Sequence, residues 1–277
     1  MVPFKRGEHR RIVMTDLLES RLETILPNGR GVWVPMDHSA SSFPEQGLLD
    51  SDKAVDAVIE GGADAIVMQK GPLSYHFTRT SWGRFVCHVS LSTIHGGNRS
   101  QDKVLVATPS EALDRGAIAI SAQVNLGDPA EPEMIQRMAR ITTDSHEKSI
   151  PVLGMFYPRG GNLILDDSDS TSGVAHAARL AWELGCNVVK VPWTGSEDSF
   201  GIVTSSVPIP VLVSGGPKDD DFGRVLELVE KSINAGGSGV CMGRNVFSSE
   251  DPASRVRALR AIVHDGANAT EASRHLR

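Results

Sequence analysis

The chain has 277 residues, with 28 Lys and Arg against 34 Asp and Glu, for a formal charge of −6; hydrophobic residues make up 40% of it. This length and composition can bury one large core or two modest ones, which excludes a disordered chain, a collagen-like repeat or a small disulfide scaffold. The acidic balance argues against a general nucleic-acid binder, whose affinity needs clustered Lys and Arg, but leaves room for a local basic phosphate pocket. Cys87, Cys186 and Cys241 have no CxxC spacing, and each lies in an apolar run. They read as buried free thiols in a reducing compartment. The basic start lacks the apolar core of a signal peptide, and no stretch approaches ~18 uninterrupted apolar residues. A soluble cytoplasmic protein with no membrane partner is expected.

In chain order, residues 8–26 read as an extra helix ahead of the first strand. Short β-branched runs then alternate with longer stretches of helical period, and the expected strands are 32–36, 65–69, 85–90, 118–124, 152–156, 187–191, 211–214 and 238–242. Between them, Met134, Ile135, Met138 and Ile141 mark one face of a helix over 131–147. Val225, Leu226, Val229 and Ile233 do the same over 219–235, where Asp219, Asp220 and Asp221 suit a helix start. Glu60-Gly-Gly-Ala-Asp, Arg115-Gly-Ala, Leu184-Gly-Cys and Ala235-Gly-Gly each place glycine where a helix closes and a strand begins. Eight such strands predict a (β/α)8 TIM barrel filling residues 1–277 as a single domain, with 1–30 as an N-terminal extension and 266–277 as a frayed tail. A doubly wound open sheet shares the local pattern, but no GxGxxG follows the first strand.

In a parallel barrel, reactive residues lie at the C-terminal ends of the strands. Those ends hold Asp37 and His38, Lys70, His88 and Ser90, Gln123 and Asn125, Tyr157, Lys190, Ser214 with Gly215 and Gly216, and Gly243 with Arg244. A strand-end lysine in a partly apolar cup, its pKa lowered by desolvation and a second cation, can attack a carbonyl to form a Schiff base. Lys190 fills that role, with Lys70 as the second cation; a structural salt bridge is the other reading of either lysine. Tyr157 and Asp37 are placed to move protons. The seventh and eighth loops, Val213-Ser-Gly-Gly-Pro-Lys and Val240-Cys-Met-Gly-Arg-Asn, put glycines where backbone N–H groups would hold a phosphate, and Arg244 adds a charged fork. The run 160–173 is either a water-excluding lid or a solvated connection. His38, His88 and His95 lack HxH or HExxH spacing, so no metal is expected; a metal-dependent lyase built on them is the rival enzyme, and a phosphosugar-binding barrel without catalysis is the rival binding protein.

Pro35-Met-Asp-His, Gly61-Gly-Ala-Asp, Tyr157-Pro-Arg-Gly, Lys190 in its strand, Ser214-Gly-Gly-Pro-Lys and Gly243-Arg-Asn-Val-Phe together resemble the archaeal-type class I aldolases. That family includes fructose-bisphosphate aldolases, 2-amino-3,7-dideoxy-D-threo-hept-6-ulosonate synthases and 2-amino-4,5-dihydroxy-6-oxo-7-(phosphonooxy)heptanoate synthases. The resemblance covers residues 30 to 265. It implies that Lys190 forms the Schiff base, that Tyr157 is the acid/base and that Asp37 assists proton transfer. It also implies a phosphate held by Gly215, Gly216, Gly243 and Arg244, and a large homo-oligomer, often a decamer. Ser214, His38 and Lys70 are expected as further substrate contacts, Lys70 either lowering the pKa of Lys190 or binding the acceptor's carboxylate, and no cofactor is expected. Met155 stands where sugar-bisphosphate members carry an aromatic residue. Lys190-Val-Pro-Trp replaces the Lys-Thr-Asn-Tyr of the heptulosonate synthases, although Ala261-Ile-Val-His-Asp-Gly looks like them. Asp37-His-Ser, Phe77-Thr-Arg-Thr-Ser and the Lys-Val-Pro-aromatic turn look more like the branch that joins dihydroxyacetone phosphate to L-aspartate 4-semialdehyde.

Overall fold

The computed structural model describes residues 6–43, 45–164 and 170–276, with the side chains of 6–15 left aside. Helix α1 (Arg6–Ile25) leads into β1 (Gly31–Pro35), and α2 (Ser51–Glu60), β2 (Ala65–Met68), α3 (Lys70–Thr80) and β3 (Phe85–His88) follow. The chain then makes a small hairpin, β4 (Ser90–Leu91) with β5 (Val104–Leu105), before α4 (Pro109–Asp114), β6 (Ala119–Leu126), α5 (Glu131–His146) and β7 (Val152–Pro158). It continues through α6 (Thr171–Glu183), β8 (Val188–Val191), α7 (Glu197–Ser205), β9 (Val211–Ser214), α8 (Phe222–Asn234) and β10 (Gly239–Cys241). It ends with α9 (Arg244–Phe247), α10 (Pro252–Val263) and α11 (Ala269–Ala272). Eight strands close in the order β1-β2-β3-β6-β7-β8-β9-β10, and each neighbouring pair is parallel. This is the expected (β/α)8 barrel, and the open-sheet alternative is set aside by its closure. None of the helices, among the described residues, is long and apolar enough to cross a membrane.

Strand alternation divides the core in two. Trp33, Val67, Val86, Ala119, Leu153, Met155, Val188, Leu212 and Cys241 pack together inside the barrel with Ile25 and Leu26. Residues of the other phase, such as Val32, Val34, Ile66, Val189 and Val213, pack against the helices. The end of α1 therefore plugs the lower mouth, where the Trp33 indole N–H donates to the Ile25 carbonyl at 2.6 Å. At the last closing pair, Gly239 has φ 131°, and a Cβ there would lie 2.0 Å from the Gly31 carbonyl oxygen; only glycine lets β10 meet β1.

Three expectations change. The strand expected over 85–90 breaks after His88: Ser90 leaves the barrel and pairs antiparallel with Leu105. The hairpin so formed makes residues 90–107 an insertion over the upper rim. The tail expected to fray instead carries α11, where Asn268 and Glu271 form a capping box, the Ala269 N–H donates to Glu230 at 2.8 Å and Ala272 is buried. Helix α8 begins at Phe222 rather than at the acidic run: Asp221 caps it by accepting from the Gly223 N–H, and Asp219 pairs with Arg224.

Asp64, in the Gly61-Gly-Ala-Asp turn, is buried at the lower end, away from the upper rim. It accepts from the Val32 N–H at 2.8 Å, from Arg260 at 3.1 Å and from His264 Nε2 at 2.7 Å, tying α10 beneath β1 and β2. Removing one member of a buried ionic network leaves the others unpaired. Asp64→Ala is expected to cost about 3 kcal/mol, at the low side for such a group because Arg260 is partly exposed. A urea unfolding midpoint equal to that of the wild type would show that this network does not brace the barrel.

Candidate active site

The upper ends of the strands surround a cavity of about 610 Å³. Its wall takes Asp37 and His38 after β1, His88 at the end of β3, Tyr157 and Arg159 from the β7 end, Lys190 from β8, Ser214 to Gly216 after β9, and Cys241, Gly243 and Arg244 after β10. Alternation explains which side chains arrive there. Leu153, Met155 and Tyr157 share one phase, as do Val188 and Lys190, Leu212 and Ser214, and Val86 and His88. Each column is apolar at its foot and polar at its top, so the lumen changes from packed core to reactive cup within two residues.

Lys190 is buried beside Tyr157, Cys241 and Asp37 and lies within hydrogen-bonding reach of Tyr157. Burial pulls its amine down, but contacts with Cys241, Tyr157 and the ionised Asp37, with the Tyr157 hydrogen bond, outweigh that and raise it above its ordinary value. The resting side chain is thus an ammonium. The Cys241 thiol, pushed up to about 11 by burial, keeps its proton at neutral pH. Burial pushes the Asp37 carboxyl up, yet His88, His38 and Lys190 together hold it below the usual range. Burial drives His88 down to about 4 and lowers His38 as well, so both rings are neutral at pH 7. At neutral pH Lys190 is thus the charged neighbour among these three. His88 is fixed by Ser121 Oγ at 2.8 Å and lies 3.8 Å from Asp37, while His38 lies 3.6 Å from it.

The other wall is built of backbone. Gly216 sits at φ 62°, and a Cβ on Gly243 would lie 2.3 Å from the Pro35 carbonyl oxygen and 2.6 Å from the His38 ring. Asn245 crosses between the two loops, donating to Gly215 O at 2.7 Å and accepting from the Asp219 N–H at 2.8 Å. Arg244 donates to Gly216 O at 3.1 Å, and its buried Nε makes no hydrogen bond among the described residues. Such a cradle, with a guanidinium at its edge, suits a phosphate.

Of the residues expected from sequence, Asp37, His38, Tyr157, Lys190, Ser214, Gly215, Gly216, Gly243 and Arg244 come together here. Lys70 does not. It opens α3, one residue past the inward phase of β2, and its Nζ pairs with Glu111 at 3.0 Å outside the cavity. It therefore lies outside the wall that holds Lys190, whose amine is raised rather than lowered. His95 also lies outside the cavity wall, and among the described residues no three His, Cys, Asp or Glu side chains gather as a metal site. Of the run 160–173, residues 165–169 lie outside the described residues. Two cations in the wall went unread in the sequence: Lys103, on the hairpin insertion, and Arg159, whose guanidinium carbon stacks 4.3 Å from the Tyr157 ring centroid. Arg159 shares the strand phase of Tyr157 and could have been found from it.

Residues 32–249 match the DeoC/LacD family aldolases. The chain is 37% identical over 236 residues, 84% of each chain, to the 2-amino-4,5-dihydroxy-6-oxo-7-(phosphonooxy)heptanoate synthase of Streptomyces griseus. It is 36% identical over 245 residues, 88% of this chain and 90% of the other, to a 2-amino-3,7-dideoxy-D-threo-hept-6-ulosonate synthase of Archaeoglobus fulgidus. Among solved structures, an archaeal fructose 1,6-bisphosphate aldolase superposes with a TM-score of 0.79 at 27% identity, covering 90% of this chain and all of that one. The family match runs from the first barrel strand to just past α9, so it takes in every wall of the cup, and the chain belongs to the DeoC/LacD family of aldolases.

Proposed function

We propose that the protein is a class I aldolase that joins dihydroxyacetone phosphate to L-aspartate 4-semialdehyde through a Schiff base on Lys190, giving 2-amino-4,5-dihydroxy-6-oxo-7-(phosphonooxy)heptanoate. The observation that carries this reading is the buried Lys190 amine beside Tyr157 and Asp37, in one cavity with a glycine-lined anion cradle.

The donor phosphate would rest on the backbone of Gly215, Gly216 and Gly243, with Arg244 closing one side and Ser214 and His38 bordering the donor. This aims the ketone carbon at Lys190. Lys190 must first give up a proton, and filling the cup with substrate helps, because excluding water penalises the ammonium. The freed amine attacks the ketone carbon; the carbinolamine hydroxyl takes a proton and leaves as water, producing an iminium. The iminium withdraws electrons, so the adjacent hydroxymethylene carbon loses a proton and an enamine forms. That carbon adds to the aldehyde, the new alkoxide takes a proton, and water returns to release product and amine. Tyr157, against Lys190, would move the protons at the nitrogen-bearing carbon, and Asp37, ionised and on the other side of the amine, those at the new hydroxyl.

A second reading within the family has the chain act as a heptulosonate synthase on a deoxyketohexose phosphate donor; the near-equal identity to the Archaeoglobus relative favours it. Two substrate mixtures, aspartate semialdehyde with either donor, separate the readings by product mass. Dihydroxyacetone phosphate is expected to give the seven-carbon phosphorylated product, and product from the other donor alone would transfer the assignment. We further place the enzyme in the cytoplasm as a homo-oligomer, with a decamer the expected size, on the strength of its thiols and its resemblance.

Borohydride added with dihydroxyacetone phosphate is expected to leave a stable adduct on Lys190, located by peptide mass spectrometry and missing in Lys190→Ala. An adduct on any other lysine would sink the assignment. Tyr157→Phe is expected to lower kcat by about 10²-fold or more, the usual cost of losing a general acid/base. Turnover close to the wild type would remove Tyr157 from that role.

A further inference from the structure

We propose that Lys103 and Arg159 form a subsite that takes the carboxylate of the acceptor aldehyde and so sets which aldehydes the enzyme accepts. This rests on the Schiff-base reading of the site given above. Both side chains line the cavity, and neither meets a carboxylate at ion-pair distance among the described residues. Lys103 is only 9% exposed, and its Nζ donates to Ser92 Oγ at 2.7 Å. Burying an ammonium with a single neutral partner is costly, and an arriving anion offsets the cost. Burial and the nearby charge of Arg159, only partly offset by Asp37, push the Lys103 amine down to about 8. Two cations held close enough to repel are a poor structural device and a good anion receptor.

The molecule fixes both groups without neutralising either. Asp102, next to Lys103, is buried and clamped by Arg99 and Arg137, and Arg137 also donates to the Lys103 carbonyl at 3.0 Å. Asn125, at the end of β6, donates to the Gln101 carbonyl at 2.7 Å and accepts from Arg159 Nε at 2.9 Å and from Gln123 Nε2 at 2.7 Å. One asparagine thus ties the hairpin insertion to the arginine and holds the two cations in register.

Position supports a carboxylate. Arg159 projects from β7, and the phosphate cradle follows β9 and β10; β8, with Lys190, lies between β7 and β9. A seven-carbon chain bound to Lys190 through its sixth carbon has its phosphate one bond farther on and its carboxylate at the far end. The cradle takes the first and the Lys103–Arg159 side the second. Where the cradle offers glycine backbone, that side offers the Lys103 ammonium and the planar Arg159 guanidinium beside Ser92, Gln101 and Gln123, which suits a planar anion.

The test is the ratio of kcat/KM for aspartate semialdehyde to that for propanal, with D-glyceraldehyde 3-phosphate as a third acceptor. In Lys103→Met and in Arg159→Met the ratio is expected to fall on the order of 30-fold, the loss that follows removal of one buried charge partner. Lys103→Arg, which keeps the charge and guards against misfolding of the methionine variant, is expected to retain most of the preference. A ratio unchanged in both methionine variants, or an equal loss on all three acceptors, would overturn the subsite. A wild-type preference for the phosphorylated acceptor that the same variants abolish would overturn the choice of carboxylate. Borohydride trapping with dihydroxyacetone phosphate on the wild type is read alongside: no adduct means the Schiff-base reading has failed, whereas an adduct with an unchanged ratio rejects the subsite alone.

Discussion

The closed barrel gives every second strand residue nowhere to go except the shared axis, and the rest of the molecule follows from that constraint. Along β7 and β8 the inward columns read Leu153, Met155, Tyr157 and Val188, Lys190, with Met155 directly opposite Lys190 in the ladder. The lower lumen is filled by packed apolar side chains, and the α1 end seals it. A lysine in the next layer up has apolar atoms below and an open cup above. Its amine meets Tyr157 on the adjoining β7, and Asp37 and Cys241 from the β1 and β10 side of the barrel. Packing therefore decides both where the amine points and which groups can exchange a proton with it.

The same closure makes the electrostatics local. Formal charge is −6 over the chain, yet the cavity wall carries Lys103, Arg159, Lys190 and Arg244 against Asp37 and Glu45. With His38 and His88 neutral, the wall is a net cation in a low-dielectric recess, where its field is much less screened than on the surface. An anionic substrate meets attraction in the cup and a mostly acidic exterior elsewhere.

How much of this was legible follows the same division. The strands, the helix faces and the glycine joints carry period 2, period 3.6 and left-handed closure in the residues themselves, and the eight-strand count came out directly. Lys190, Tyr157 and the two glycine loops sit at strand ends, so their placement followed from the fold class. Lys70 was misplaced because reading it as a strand end ignored the phase: Ala65 and Val67 face the lumen, so residue 70 faces out, where Glu111 takes its charge. Lys103 carried no such signal. It lies in an insertion with no barrel phase, brought over the rim by the Ser90–Leu105 pairing and by contacts such as Arg137 with Asp102, whose partners are 35 residues apart. Distant side-chain ties of this kind leave no local pattern to read.

That contrast separates the two halves of the site. The amine, its proton-transfer neighbours and the phosphate cradle belong to strand ends and to glycine turns whose conformations the barrel dictates; Gly243 cannot even accept a Cβ without striking Pro35 and His38. The acceptor side is set by an 18-residue insertion, read from its bounds at 90 and 107, whose hold on the barrel depends on the ties made by Asp102 and Asn125. The two halves still touch: Asn125 pairs with Tyr157 in the β6–β7 ladder and the Arg159 guanidinium stacks on the Tyr157 ring, so a change in those ties reaches the tyrosine beside Lys190.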